Sequence, residues 1–186
     1  MQASTLDGGF ADPPKDAARA FRAIMDVIAR PGDIRQVAGA TPPAPLSSAA
    51  GTLMLALCDP DTPIYLAPSC ATAEVKSWMR FHTGAPLAAP AAAMFLFGAW
   101  DELRDLPVAL GTPEYPDRSA TLVVELHRLE PEGARLRGPG IRLSAALSLP
   151  GTEAFRCNNQ RFPLGFDCFF ACNGRLAALP RSTEVG

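Results

Sequence analysis

The stretch that most restricts the fold lies near the end of the chain, where FDCFFAC and RLAALP flank Asn173-Gly174. Two apolar runs separated by Asn-Gly predict a β-hairpin, because a type I′ turn needs positive φ at both central positions and these residues tolerate it. The chain therefore closes in an antiparallel pair, and its other elements must be arranged around that pair.

The first half reads as helices separated by turns. Residues 16–29 (DAARAFRAIMDVIA) place Ala17, Phe21, Ile24 and Ile28 on one face at spacings of three and four. Arg30-Pro31-Gly32 stops that helix, since Pro31 disfavours helical geometry at Arg30 and Gly32 can take positive φ. Ser47 or Ser48 can cap a second helix through Leu57, and Ser69 or Thr72 a third that ends at Gly84. Strands are predicted at 64–67, 93–98, 119–129 and around 134–137, with a short helix over 101–110. Helices early and strands late predict an α/β fold, a mixed β-sheet with helices packed on it. Residues 1–15 form an N-terminal arm, Gly- and Pro-rich through residue 14, that docks on another surface. Residues 16–186 form a single domain.

Charge and cysteine usage narrow the function classes. A net charge of −2 gives no field that would draw the chain to nucleic acid or an anionic membrane. No apolar run approaches the ~20 residues of a membrane span, and the first 21 residues have no leader pattern. The five cysteines (Cys58, Cys70, Cys157, Cys168 and Cys172) are odd in number and form no CxxC pair, as expected for reduced thiols in the cytoplasm. Of the 17 basic residues only Lys15 and Lys76 are lysine. Arginine suits planar recognition of phosphate or carboxylate, although a high-GC genome produces the same bias.

Five segments are richer in Gly, Pro and polar side chains than packing requires: 59–63, 80–84, 111–122, 138–141 and 162–167. RFHTG places Arg80 and His82 at the end of the third helix, where they form either an anion clamp or a C-terminal cap. In DPDTP, Asp59 and Asp61 can hold a divalent cation or simply build a turn. Asp117-Arg118-Ser119 lacks the G-x-S-x-G setting of a nucleophile, and GPGI is neither phosphate-loop motif. His127 falls within a predicted strand and reads as a facing residue. With two histidines and irregular cysteine spacing no metal site is expected. Arg181 closes the last strand, as a carboxylate ligand or a surface terminus. The assigned anion contacts are Arg80, His82 and Arg118, oriented by Asp61 and Asp117.

Taken in order, FRAIMDVIARPG, LALCDPDTPIYL, RFHTGAPL, GTPEYPDRSATL, LRGPGI, RFPLGFD and LPRST resemble the PhnH family over residues 18–183. The resemblance implies a subunit of the bacterial carbon–phosphorus lyase system, joined with PhnG, PhnI and PhnJ. It implies a part in the step in which a phosphonate displaces adenine from ATP to give α-D-ribose 1-methylphosphonate 5-triphosphate. It further implies a homodimer when isolated, a nucleotide or phosphonate ligand, no established catalytic centre, and a fold similar to pyridoxal-phosphate-dependent transferases. No cofactor is expected, because neither Lys15 nor Lys76 has the setting of a Schiff-base lysine. The alternatives are a free-standing enzyme on nucleotides or phosphosugars, and a pure scaffold.

Overall fold

The structure is a computed structural model and describes residues 6–186. The arm prediction for residues 1–5 lies outside the described residues.

Local sequence sets most element ends. Helix α1 spans Pro13–Ala29, three residues earlier than the periodicity predicts, because Pro13 and Pro14 occupy the first turn, where a missing N–H costs nothing. Its buried stripe is Ala20, Ile24 and Val27. The predicted face shares Ile24 with this stripe, but Phe21 is exposed at 49%. After β1 (Arg35–Gln36), α2 (Ser48–Leu57) begins at Ser47, whose hydroxyl accepts the Ala50 N–H at 3.1 Å. After β2 (Ile64–Leu66), α3 (Ala73–Thr83) is capped by Thr72 and stopped by Gly84 at φ 70. The remaining elements are β3 (Phe95–Ala99), α4 (Trp100–Leu103), β4 (Thr121–Glu125), β5 (Ala134–Arg137), β6 (Ala145–Leu147), α5 (Glu153–Asn159), β7 (Asp167–Cys172), β8 (Arg175–Leu179) and β9 (Glu184–Val185).

The main sheet has the order β1-β8-β7-β4-β3-β2. Strands β2, β3, β4 and β7 run parallel, and β8 and β1 add antiparallel pairs at one side. The predicted hairpin is β7–β8, with Cys172 opposite Arg175 across Asn173-Gly174. Only Asn173, at φ 55, is left-handed, so the turn meets one of the two positive-φ conditions of type I′.

Both faces of the sheet are covered, as a parallel core requires. Alternate residues Phe97, Val123, Phe169 and Leu176 pack beneath α1–α3 against Ile24, Leu53 and Trp78. Their neighbours Leu96, Leu122, Phe170 and Ala177 face Trp100, Phe155, Leu129 and Leu136 on the other side. There α4 and α5 lie with a small antiparallel sheet of order β6-β5-β9. Phe155 stacks on Trp100 at 4.6 Å and meets Phe170 edge-on at 5.8 Å, fixing α5 to the sheet.

Segment 138–141 is a packing turn: a Cβ on Gly140 would lie 2.0 Å from the Ala29 carbonyl oxygen. The described part of the arm docks on its own chain. The Trp78 indole N–H donates to the Asp7 carbonyl at 2.9 Å, and Thr41 N–H donates to the Gly8 carbonyl at 2.8 Å.

Candidate functional site

Four parallel strands give the sheet a direction, with an amino edge and a carboxyl edge. In open α/β sheets ligands are held outside the carboxyl ends of the strands. A cavity of about 430 Å³ lies there, reached by Ser69 and Cys70 after β2, Ala99 at the end of β3, Glu125 at the end of β4 and Asn173 after β7. Ser47, at the N-terminus of α2, forms another wall, and His127 lies on the rim. Strand β4 stops at Glu125, so His127 is an exposed residue beyond the strand rather than a facing residue within it.

Glu125 is the central group. It is half-buried, and its Oε1 accepts the Ser47 N–H at 2.8 Å. Burial raises its carboxyl above the usual range, and the donation from Ser47 opposes that rise. Beside it, burial pushes the Cys70 thiol up to about 11; a hydrogen bond to Ser69 opposes the rise and the charges of Glu125 and Glu102 add to it. The thiol is therefore not a thiolate nucleophile at neutral pH. Glu102 holds the wall after β2: its carboxylate accepts the Ser69 N–H at 2.9 Å, the Ser69 hydroxyl, and the Ala99 N–H at 3.4 Å. Desolvation acts to raise the Glu102 carboxyl, but these hydrogen bonds together outweigh it and bring it below the ordinary value.

Three N–H groups at the N-terminus of α2 are engaged from within the chain. Ser47 N–H goes to Glu125, Ala49 N–H to the Asn173 carbonyl at 2.8 Å, and Ala50 N–H to the Ser47 hydroxyl. A carboxylate thus occupies the position where helix termini in such folds receive phosphate.

The five residues assigned to anion binding from sequence lie at the other edge. Asp61 precedes β2, Arg80 and His82 close α3, and Asp117 and Arg118 precede β4; all five are on the amino side of the parallel strands. The turn 59–63 and the end of α3 meet, because Gly84 packs on Pro60. Loop 111–119 is two strands away from β2, about 10 Å along the sheet. His82 Nε2 lies 2.8 Å from the Leu6 carbonyl, and its ring packs at 4.9 Å from both Trp78 and Phe81. Arg80 is exposed. Asp59 builds the turn, accepting the Asp61 N–H at 2.9 Å and the Thr62 hydroxyl at 2.7 Å. The Arg118 guanidinium lies 4.1 Å from the centre of the Tyr115 ring.

Ser47, Cys70, Glu102 and Glu125 escaped the sequence reading. The available signal was position: Cys70, Glu102 and Glu125 each end or closely follow a short apolar strand, in IYLAPSC, FLFGAWDE and TLVVE. Among the described residues, no cluster of three or more His, Cys, Asp or Glu could hold a metal ion. Nor do the lysines fit a Schiff-base cofactor. Lys15 pairs with Asp12 at 2.7 Å at the start of α1, and Lys76 is exposed on α3; neither lines the carboxyl-edge cavity.

Fold and site together define an α/β domain with a carboxyl-edge pocket that is acidic and free of lysine and arginine. Residues 8–186 match the family model described as bacterial phosphonate metabolism protein (PhnH), and the chain belongs to that family. It is 39% identical over 199 residues to the α-D-ribose 1-methylphosphonate 5-triphosphate synthase subunit PhnH of Rhizobium meliloti (strain 1021), covering 99% of this chain and 97% of the relative. It is 29% identical over 172 residues to HtxG of Stutzerimonas stutzeri, provisionally a C–P lyase subunit, covering 89% of this chain and 84% of the relative. The resemblance carried by the seven ordered segments is thus borne out, and it places the chain in phosphonate metabolism. No described helix is long and apolar enough to cross a membrane.

Proposed function

We propose that the chain acts as the H-type subunit of α-D-ribose 1-methylphosphonate 5-triphosphate synthase within a cytoplasmic carbon–phosphorus lyase assembly. The observation that carries this reading is the end-to-end match to the Rhizobium meliloti subunit, which leaves no part of the domain unaccounted for. The proposed partners are PhnG, PhnI and PhnJ, with a homodimer when the chain is alone. In this reading the amino edge, with Asp61, Arg80, His82, Asp117 and Arg118, meets an anionic group or a partner, and the carboxyl-edge pocket takes part of the nucleotide substrate. The parallel core with an antiparallel side is compatible with a relation to the pyridoxal-phosphate-dependent transferase fold, without its lysine chemistry.

Tagged protein purified from its own host tests the assembly. Recovery of PhnG, PhnI and PhnJ in fixed ratio is expected, and recovery of the chain alone overturns the reading.

The carboxyl-edge pocket with a half-buried carboxylate favours a second reading, a free-standing enzyme on nucleotides. Adenine release from ATP and methylphosphonate by the purified chain, without partners, would establish it; no release would exclude that reaction for the isolated chain.

A further inference from the structure

We propose that the carboxyl-edge pocket receives a neutral hydrogen-bond donor, a sugar hydroxyl pair or the amine of a base, and not a phosphate, and that Glu125 imposes this choice. The inference rests on the nucleotide-handling reading above and specifies which part of the nucleotide enters.

Donor accounting supplies the first argument. A phosphate needs free N–H groups or cationic side chains. Of the four N–H groups at the start of α2, those of Ser47, Ala49 and Ala50 are spent on Glu125, the Asn173 carbonyl and the Ser47 hydroxyl, which leaves that of Ser48. The Ser69 N–H and hydroxyl are spent on Glu102. No lysine or arginine lines the cavity, and its side-chain N–H donors are those of His127 on the rim and of Asn173.

The second argument is charge. A phosphate in this cavity would meet the Glu125 carboxylate and lie near that of Glu102, which Ser69 holds at the wall. Like charges within a few ångströms in a partly desolvated site repel strongly. A hydroxyl or amino donor meets the opposite situation. Glu125 Oε1 holds the Ser47 N–H and the carboxylate also meets the Ser47 hydroxyl, which leaves part of its roughly four-site acceptor capacity open. It can therefore accept from a ligand while its orientation is already fixed by Ser47. A preorganised acceptor of this kind discriminates strongly, because a ligand lacking the donor leaves the carboxylate unsatisfied.

Size agrees. The cavity, about 430 Å³, falls in the range of small-molecule sites, roughly 300–1,000 Å³. A furanose ring or a purine base fits within that volume, and a charged tail would remain outside toward solvent or a partner.

Amide chemical-shift mapping of the full chain with separate additions of adenosine, ribose, adenine and tripolyphosphate tests the proposal. Adenosine is expected to shift the amides of Ser47, Ser69 and Asn173, and tripolyphosphate to leave them unmoved. The ribose and adenine arms tell which source supplies the donor. Glu125→Ala is expected to weaken adenosine binding at least tenfold. The proposal is overturned if tripolyphosphate shifts these amides in place of adenosine, if no nucleoside component shifts them, or if the variant binds adenosine as the parent does. The wild-type mapping decides by itself should the variant fail to fold. Because this measurement uses no partner and the co-purification uses no ligand, failure of the pocket assignment and failure of the assembly reading are distinguishable.

Discussion

Asp167 and Arg181 face each other at the start of β7, with Nη2 of the guanidinium 2.6 Å from Oδ2 and Nε 3.1 Å from Oδ1. The same guanidinium donates to the Pro116 carbonyl at 2.8 Å and to the Ser119 hydroxyl. Of the two sequence readings of Arg181, carboxylate ligand and surface terminus, the geometry selects the first, within its own chain. One planar group thus ties β7, the end of β8 and loop 111–119 together. Arg181→Ala is expected to destabilise the fold by about 2–4 kcal/mol, since it leaves a half-buried carboxylate without its partner. Arg181→Lys should recover little, because an ammonium cannot reproduce the fork. Urea unfolding of the three proteins measures both differences.

Glu125 makes stability depend on pH in a definite direction. Its carboxyl titrates above the ordinary value in the folded chain, so the folded state holds this proton more tightly than the unfolded one. Its favourable contribution is full below the unfolded value and is lost as pH rises through the folded value. Glu125→Gln removes the titration and keeps a carbonyl acceptor for Ser47. The variant should melt with the parent near pH 4 and above it at pH 7–8. A parent and variant whose melting temperatures run in parallel across this range would contradict the assignment.

Thiol reactivity should separate the five cysteines. Burial pushes Cys58 up to about 12 and Cys70 up to about 11, and raises Cys168 strongly. Cys172 is buried, whereas Cys157 is exposed on α5. Native protein at pH 8 should label rapidly at one thiol, located to Cys157 by peptide mapping, and at five after unfolding. Rapid native labelling of Cys70 would mean that the pocket wall opens.

At the amino edge, substitutions can separate packing from binding. His82→Ala removes the contact with the Leu6 carbonyl and is expected to cost about 1 kcal/mol. Arg80 is exposed, and Arg80→Ala should change stability by about 0.5 kcal/mol or less. If this edge contacts an anion in the assembly, Arg80→Ala should still impair growth on methylphosphonate as sole phosphorus source. Unchanged growth together with intact partner recovery would remove Arg80 from any binding role.

The sequence made local features legible and long-range ones opaque. The β7–β8 pair, the Thr72 cap and the Gly84 stop each depend on a few consecutive residues, and each is where the residues predict. The α1 face is displaced because Ala20 and Val27 bury as well as larger side chains do, while Phe21 stays outside. The carboxyl-edge site was hidden because Ser47, Cys70, Glu102 and Glu125 converge only through parallel pairing of strands far apart in sequence. Nothing in the local composition around Glu125 marks it, since a single carboxylate after TLVV reads equally well as the solvated end of a strand.

The ends of the main sheet bear on how this chain can join others. At one side β1 offers only Arg35 and Gln36. At the other, the outward backbone of β2 is engaged at Ile64, whose N–H donates to the Pro86 carbonyl and whose carbonyl accepts from Ala88, both at 2.9 Å. Among the described residues, neither border presents a long row of free backbone groups on which a foreign strand could template. Extending the main sheet from chain to chain is thereby disfavoured. A partner that meets the main sheet at these borders finds mostly side chains of helices and loops, where affinity can be tuned one residue at a time without disturbing the sheet.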